Sequence, residues 1–268
     1  MSVIQRHGRI AGIETSWLEA PGPANVLYVH GVPNNAEMWR PFLERTGGVA
    51  VDLPGFGRTG KPAYFPYGIE GYARWLGDFA DQAGLGEHSL CVHDWGAVGL
   101  AHGAIRPASI TKVALLNCVP FLPGYRWHAT ARVWRTPVVG ELLMGMSTRP
   151  GAKLLSRKGT VAPGPMPDKF IDAAWEHFDH GTQRAILKLY RASPPDVLER
   201  AGGALEHLSA PALVAWGAAD IFIPSSFGQA YADALAGEAR VELIEGAGHW
   251  PWIDKPEVIA LVADFLTD

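Results

Sequence analysis

Three side chains with the chemistry of a hydrolytic triad stand at the ends of predicted strands: Asp94, Asp220 and His249. Asp94 follows the apolar run Ser89–His93 and precedes a Trp-Gly pair and a helix-like stretch, so it is expected on a sharp strand-to-helix turn. Asp220 closes the segment that begins ALVAW, and His249 follows the run VELI. A nucleophile on such a turn, followed by an acid and then by a histidine, predicts covalent hydrolysis at one edge of a parallel sheet.

The elements that must position these residues alternate along the chain. Short apolar runs predict six buried strands, at Asn25–Val29, Gly48–Asp52, Ser89–His93, Lys112–Asn117, Ala212–Trp216 and Val241–Ile244. Amphipathic stretches predict helices between them, at Gly71–Ala83, Gly96–Ile105, Ser226–Leu235 and Pro256–Phe265. This alternation is typical of βαβ units, so we expect an α/β fold with a mostly parallel sheet flanked by helices.

The alternation breaks between about residues 120 and 201, where the sequence is helix-like and rich in tryptophan. The strand pattern resumes after Ser209. We therefore predict a core whose first half spans residues 1–119 and whose second half spans 202–268. The segment between them, 120–201, is predicted to be a helical cap inserted between the two halves.

Composition narrows the class of protein. The 268 residues carry a formal net charge of −4 with no Lys/Arg-rich run, which disfavours nucleic acid or an anionic membrane as a partner. No run of about 18 uncharged apolar residues is present, and residues 1–14 contain no apolar run of signal-peptide length. Cys91 and Cys118 lie in apolar strand-like stretches and are interpreted as reduced, buried thiols. We expect a cytoplasmic protein, and no pattern indicates an oligomeric state.

Four segments, taken together and in order, resemble the α/β-hydrolases: His30–Pro33, Cys91–Ala97, Trp216–Asp220 and Gly248–Pro251. The sequence HDWG at 93–96 resembles the branch that contains epoxide hydrolases and haloalkane dehalogenases, as does Asp52–Gly57. The resemblance covers nearly the whole chain and is weakest in the predicted cap. It implies an α/β-hydrolase fold whose nucleophile is an aspartate.

The residue types indicate how such a site would work. A serine hydrolase carries G-x-S-x-G at the turn, whereas this chain has Asp94 at the nucleophile position. A carboxylate is already ionised at neutral pH, and it attacks an sp³ carbon to form an alkyl ester. His249 would activate the water that cleaves this ester, and Asp220 would hold His249 in the correct tautomer. The backbone N–H groups of Val32 and Trp95 are expected to form the oxyanion hole.

Two histidines in the other motif segments, His93 and His30, are expected to have structural roles and not the catalytic role of His249. His93 is expected to be a hydrogen-bonded core residue, and His30 is expected to support the oxyanion loop. Asn117, which occupies the place where some relatives carry the acid, cannot serve as an acid.

Tyr190 favours epoxide hydrolysis. Epoxide hydrolases of the branch use one or two cap tyrosines to protonate the opening epoxide oxygen, and Tyr190 in AILKLYRAS resembles one of them. Tyr125 stands near the expected place of the other, although Trp127 or His128 could occupy that place instead.

Haloalkane dehalogenation is the alternative. Dehalogenases hold the departing halide with two N–H donors, one of which is matched by Trp95. Many take the second donor from an Asn directly after His-Gly, where this chain has Val32. Others use a cap tryptophan, and Trp127, Trp134 and Trp175 keep that possibility open.

The predicted cap is rich in Trp, Phe, Leu and Met, which predicts an apolar pocket for a hydrophobic small-molecule substrate and water. We expect Trp95, Tyr125, Trp127 and Trp134 to bind the substrate. No metal cluster, phosphate loop or dinucleotide fingerprint is present, so no metal and no cofactor is expected. Another reaction on this scaffold and a non-catalytic ligand receptor are further alternatives, and the intact Asp94, Asp220 and His249 set argues against the receptor.

Overall fold

A single eight-stranded sheet forms the centre of the protein, as seen in a computed structural model that describes residues 2–161 and 166–268. The strand order is β1-β2-β4-β3-β5-β6-β7-β8. The strands are β1 Ile4–Ile10, β2 Ile13–Ala20, β3 Val26–Val29, β4 Gly48–Val51, β5 His88–Asp94, β6 Ile110–Cys118, β7 Ala212–Gly217 and β8 Ala239–Ile244. Strands β3 to β8 pair in parallel, whereas β2 is antiparallel to both β1 and β4.

All six predicted strands are present, and the predicted mostly parallel sheet is confirmed. The hairpin of β1 and β2 was not predicted. Its two strands are joined by Ala11 and Gly12, which have φ values of 46° and 81°. Most residues of β1 are exposed, whereas most residues of β2 are buried. The hairpin therefore lacks the continuous apolar runs that mark the inner strands.

Alternate side chains of the inner strands fill two separate cores. Leu27, Leu90 and Val113 pack on one face of the sheet with α2 and α3, which span Ile69–Gln82 and Val98–Ile105. Tyr28, Cys91 and Ala114 point to the other face, against α1 and α12, which span Arg40–Thr46 and Glu257–Thr267. Burial on both faces is the usual state of a parallel sheet and explains why the inner strands are apolar throughout.

Six helices stand between β6 and β7 within the described residues, where no strand is present. They are α4 Ala129–Arg135, α5 Val139–Gly145, α6 Arg149–Arg157, α7 Asp168–Trp175, α8 His180–Ala192 and α9 Pro195–Gly202, and they are called the helical segment below. The remaining helices are α10 Ser226–Ala234 and α11 Pro251–Asp254. The division of the chain at residues 119 and 201 stays a prediction, and residues 162–165 of the predicted cap lie outside the described part.

Neither cysteine is in a disulfide, in agreement with the sequence. Cys91 and Cys118 are free, fully buried thiols on the adjacent strands β5 and β6, as predicted. No helix in the described part of the chain is both long and apolar enough to cross a membrane.

The turn after β5 is the tightest constraint on the site. Asp94 ends β5 with φ 52° and ψ −122°, a left-handed conformation that is costly for a residue with a side chain. Two glycines leave room for it. A Cβ on Gly31 would lie 2.4 Å from the Cβ of Asp94, and a Cβ on Gly96 would lie 2.1 Å from the carbonyl oxygen of Val29. The end of β3 therefore packs directly against the turn that carries Asp94.

Gly96→Ala should destabilise the protein, because the added methyl would collide with backbone that cannot rotate away. We expect the free energy of unfolding to fall by about 3 kcal/mol, the upper end of the range for overpacking. Gly145→Ala is the matched control, since nothing lies within 4 Å of its Cβ position at the end of α5, and it should change stability by less than ~1 kcal/mol. Urea unfolding of both variants measures this difference. Equal stability of the two variants would show that the turn tolerates a side chain.

Candidate active site

Asp94 is a buried carboxylate held by backbone donors. The Val32 N–H donates to its Oδ1 at 2.7 Å, and the backbone N–H of Trp95 is a second donor. The residue is 6% exposed, and burial raises its pKa to about 6, although His249 and the two backbone donors oppose this rise. The carboxylate is thus ionised at neutral pH, and one of its oxygens already occupies the predicted oxyanion site.

His249 lies between two carboxylates. Its Nδ1 is 2.8 Å from Oδ2 of Asp220, and its Nε2 is 3.7 Å from Oδ2 of Asp94. Burial alone would lower the pKa of His249, but the negative charge and hydrogen bond of Asp220, with the charge of Asp94, raise it above its ordinary value. The Nε2 atom of His249 therefore faces the Asp94 carboxylate, and the structure brings Asp94, Asp220 and His249 together.

Asp220 is the carboxylate of the site that accepts the most hydrogen bonds. Its Oδ1 accepts hydrogen bonds from the backbone N–H groups of Phe222 and Ile223, at 2.7 and 3.1 Å. Burial would raise the pKa of Asp220, but the charge of His249 and the hydrogen bonds from His249 and Asn117 outweigh it and lower the pKa. Asp220 consequently stays ionised and can stabilise a protonated His249.

Asn117 has a supporting role that sequence reasoning missed. Its Nδ2 donates to Oδ2 of Asp220 at 2.7 Å, and its Oδ1 accepts from the Gly217 N–H at 3.0 Å. Asn117 thus links the end of β6 to the acid after β7. In the sequence, Asn117 could have been recognised as a polar residue near the end of the buried strand β6, whose neighbour in the sheet, β7, precedes Asp220.

His93 and His30, which lie beside the site, make structural hydrogen bonds. The Nε2 of His93 contacts the carbonyl oxygen of His249 at 2.8 Å, and since a carbonyl only accepts, Nε2 carries the proton. His30 accepts from the Leu53 N–H through Nε2 at 3.0 Å and donates through Nδ1 to the Gly31 carbonyl at 2.8 Å. Burial lowers the pKa of both, that of His30 to about 4, so both rings are neutral. Each ring fixes the backbone beside a triad or oxyanion residue.

A cavity of about 550 Å³ opens above Asp94 and His249. Each of five successive helices of the helical segment contributes at least one side chain to its wall. These contributions include Trp134 from α4, Met144 from α5, Leu155 from α6, Ile171 from α7 and Tyr190 from α8. A largely apolar pocket thus lies between the Asp94 carboxylate and the helical segment.

Three of the residues predicted to bind substrate are not in the wall of this cavity. Trp95, Tyr125 and Trp127 are 0%, 3% and 6% exposed, and they pack behind the cavity wall. The Tyr190 ring lies against Trp95 and Trp127, with centroid distances of 5.3 and 4.9 Å, and Tyr125 packs on Trp127. Of the four residues expected to bind substrate, Trp134 alone lines the cavity in this structure.

Tyr190 is clamped by aromatic rings. Trp95 and Trp134 contact it edge-on, at centroid distances of 5.3 and 5.2 Å. Its pKa is raised well above the ordinary value because burial disfavours the phenolate, and the Asp94 charge adds to this effect. Tyr190 therefore carries a protonated phenol and lines the cavity that contains the Asp94 carboxylate.

Two further polar residues line the cavity wall: Asn34, which was not assigned from the sequence, and His128, which was expected only as a possible substitute for Tyr125. Asn34 is 4% exposed, and its Nδ2 has no hydrogen-bond partner among the described residues. His128 accepts from the Ala131 N–H through Nδ1 at 3.4 Å, and burial lowers its pKa to about 4, so its proton is on Nε2. The signal for Asn34 was the polar pair Asn34-Asn35 directly after the oxyanion loop.

The pKa of His249 tests the assignment of the acid. Asp220→Asn removes the negative charge that raises this pKa and leaves the burial that lowers it. We expect His249 to titrate above 6.5 in the wild type and below 6.5 in the variant, and we expect turnover to fall by up to about 10⁴. NMR titration of the imidazole measures the shift. Asp196→Asn removes an exposed, ion-paired carboxylate and should leave His249 unchanged. If Asp220→Asn keeps the wild-type rate, the acid is another residue, and Asn117→Asp becomes the informative variant.

Known proteins share this architecture. A model of the alpha/beta hydrolase family matches residues 26–261. Epoxide hydrolase A of Mycobacterium tuberculosis is 29% identical, over 96% of this chain and 95% of that protein. A haloalkane dehalogenase of Bradyrhizobium diazoefficiens is 28% identical, over 92% and 86%.

Solved structures agree at the level of the fold. The haloalkane dehalogenase DbeA of Bradyrhizobium elkani superposes with a TM-score of 0.84, covering 99% of this chain and 98% of its own at 23% identity. Cfl2 of Burkholderia cenocepacia superposes with a TM-score of 0.86, covering 99% and 96% at 22% identity. The fold is therefore shared with both proteins.

Proposed function

Because the chain belongs to the alpha/beta hydrolase family and is a hydrolase, we propose that it opens hydrophobic epoxides to vicinal diols through an ester on Asp94. The observation that carries this proposal is the placement of Tyr190. Its protonated phenol lines the same cavity as the Asp94 carboxylate and the His249 imidazole. An acid that faces a nucleophile across an apolar space suits the opening of a strained C–O bond.

The first step would be alkylation. Oδ2 of Asp94 attacks one epoxide carbon, and the C–O bond of that carbon breaks. The oxygen that is released gains negative charge and takes the proton of Tyr190. Oδ1 of Asp94 stays on the Val32 N–H, so the carboxylate needs no reorientation before it reacts.

The second step would be hydrolysis of the ester. His249 takes one proton from a water molecule, whose oxygen attacks the carboxyl carbon of Asp94. The oxyanion forms on Oδ1, where the Val32 N–H already donates, and the Trp95 N–H is the second backbone donor to this carboxyl group. Collapse releases the diol. The remaining water proton ends on the new product hydroxyl, and the proton on His249 returns to Tyr190.

The helical segment is proposed to act as a cap over this reaction. Residues from α4 to α8 line the cavity, and most are apolar, including Met144, Leu155 and Ile171. An apolar wall strengthens the attraction between the opening oxygen and Tyr190 and selects hydrophobic substrates.

Carbon–halogen hydrolysis is the second candidate, and the observation that favours it is Asn34. Its unpartnered Nδ2 lies in the cavity wall, where it could donate to a departing halide. The side chain of Trp95 lies against Tyr190, with which it forms a hydrogen bond, and Trp95 is fully buried and does not line the cavity. Asn34, Trp134 and Trp175 line the cavity, but Trp95, the donor that dehalogenases place beside the nucleophile, does not, and this favours the epoxide reaction.

His249→Gln should stop the reaction after alkylation, since glutamine cannot take a proton from water. Incubation with a reactive epoxide should add one substrate mass per chain, and peptide mapping should locate it on Asp94. Asp94→Asn is the control and should gain no adduct. An unmodified Asp94 peptide, with a wild type that converts the same compound, would exclude the covalent mechanism.

Tyr190→Phe separates the two reactions, because it keeps the ring and removes only the phenol. On an epoxide we expect alkylation of Asp94 to slow by roughly tenfold or more, since the opening oxygen loses its acid. Bromide is already a stable anion, so release of bromide from a bromoalkane should change little. Single-turnover assays of diol and bromide formation measure both.

Two tyrosines serve as controls for this variant. Tyr64→Phe makes the same change at a 75% exposed position, and Tyr125→Phe makes it behind the cavity wall. Both should stay near the wild-type rate. A wild type that releases bromide and makes no diol, with a neutral Tyr190→Phe, would favour the dehalogenase, and Asn34→Leu would then be expected to slow bromide release.

A further inference from the structure

The charge of this protein is unevenly distributed. Over all 268 residues the formal net charge is −4. Residues 120–161 contain seven Arg or Lys residues and one acid, Glu141, so this stretch carries +6 and the rest of the chain carries −10. Arg126, Arg132 and Lys158 are exposed and form no ion pair in the described part of the chain. Arg149 and Lys153 are paired with Asp168 and Asp172, so the charges that are available to an external partner are those of Arg126, Arg132 and Lys158.

The same stretch exposes an apolar helix face. Val139, Leu142, Leu143 and Met146 recur at the spacing of one face of α5, and they are 44%, 62%, 46% and 71% exposed. Of the twelve large hydrophobic side chains that are exposed among the described residues, seven lie between 138 and 161. Helices of globular proteins normally bury such a face, so its exposure indicates a partner surface.

This face borders the entrance of the cavity. Leu143 and Met146 belong both to the exposed face and to the wall of the cavity that contains Asp94. A side chain that is more than half exposed, such as Met146, can line the cavity only where the cavity meets solvent. Whatever covers the face therefore lies next to the path of the substrate.

We propose that α5 and α6 form a docking face for an anionic lipid surface. Apolar side chains of α5 would enter the boundary between headgroups and acyl chains, and the surrounding Arg and Lys side chains would lie at the level of the lipid phosphates. A substrate dissolved in the lipid could then pass directly into the cavity.

A second copy of the chain fits this face less well. In a two-fold contact the same patch would meet itself, which would bring the unpaired cations Arg126, Arg132 and Lys158 of both copies together. An anionic surface instead complements both the charge and the apolar helix face. The inference does not depend on which reaction the site catalyses, because binding is measured without substrate.

Sedimentation of the full-length protein with vesicles tests the proposal. We expect binding to phosphatidylcholine vesicles that contain phosphatidylserine, and little binding to phosphatidylcholine alone. Raising the salt from roughly 0.15 M to about 1 M should weaken binding, because the screening length falls from ~8 to ~3 Å. The double variant Arg132→Gln, Lys158→Gln should weaken it by roughly 30-fold, since each charge contributes about fivefold.

The apolar contribution has a matched control. Val139→Gln combined with Leu142→Gln should reduce vesicle binding at least tenfold and leave turnover of a water-soluble substrate unchanged, because neither side chain lines the cavity. Ile105→Gln makes the same change at a side chain that is also 62% exposed, on α3, and should bind like the wild type.

Three outcomes would overturn the proposal: no sedimentation of the wild type with phosphatidylserine vesicles, equal loss for Ile105→Gln, or a wild-type dimer on gel filtration that Leu142→Gln dissociates. The third outcome would assign the face to a second copy of this chain.

Discussion

Two buried carboxylates share one imidazole, and much of the surrounding structure is needed to make that arrangement stable. A buried charge without partners is costly, and here Asp94 and Asp220 both lie within reach of His249. Their environments differ. Asp220 accepts hydrogen bonds from His249, Asn117 and two backbone N–H groups, which lowers its pKa, whereas burial dominates at Asp94 and raises its pKa to about 6. The two carboxylates therefore differ in pKa, as the proposed roles of nucleophile and supporting acid require.

The same arrangement explains the backbone around the site. The left-handed Asp94 turn exists because the end of β3 approaches it closely, and Gly31 and Gly96 are the residues that permit this approach. The approach also places the Val32 N–H on Oδ1 of Asp94. His93 and His30 then hold the backbone of His249 and of the Val32 loop with neutral rings, so they add no further charge to a buried site.

Above the sheet, aromatic packing determines what the site presents to a substrate. Trp95 and Trp127 would be natural substrate contacts from their positions in the sequence, but they instead form the layer that holds Tyr190 at the cavity wall. The polar donors left in the wall, Asn34 and His128, come from the oxyanion loop and the entry to α4.

The sequence by itself determined the parallel sheet and the meeting of Asp94, Asp220 and His249. Parallel strands end at one edge of their sheet, so residues that directly follow such strands must converge however far apart they are in the chain. It did not determine the hairpin of β1 and β2, which lacks continuous apolar runs, or the contact of Asn117 with Asp220, which depends on the pairing of β6 with β7. Only the tertiary structure decided that Tyr190 and Trp134 line the cavity while Trp95, Tyr125 and Trp127 lie behind it. The physical reason is that the direction of a side chain in the helical segment depends on how each helix packs over the sheet, and helical periodicity indicates that a residue is buried without indicating which neighbour it faces.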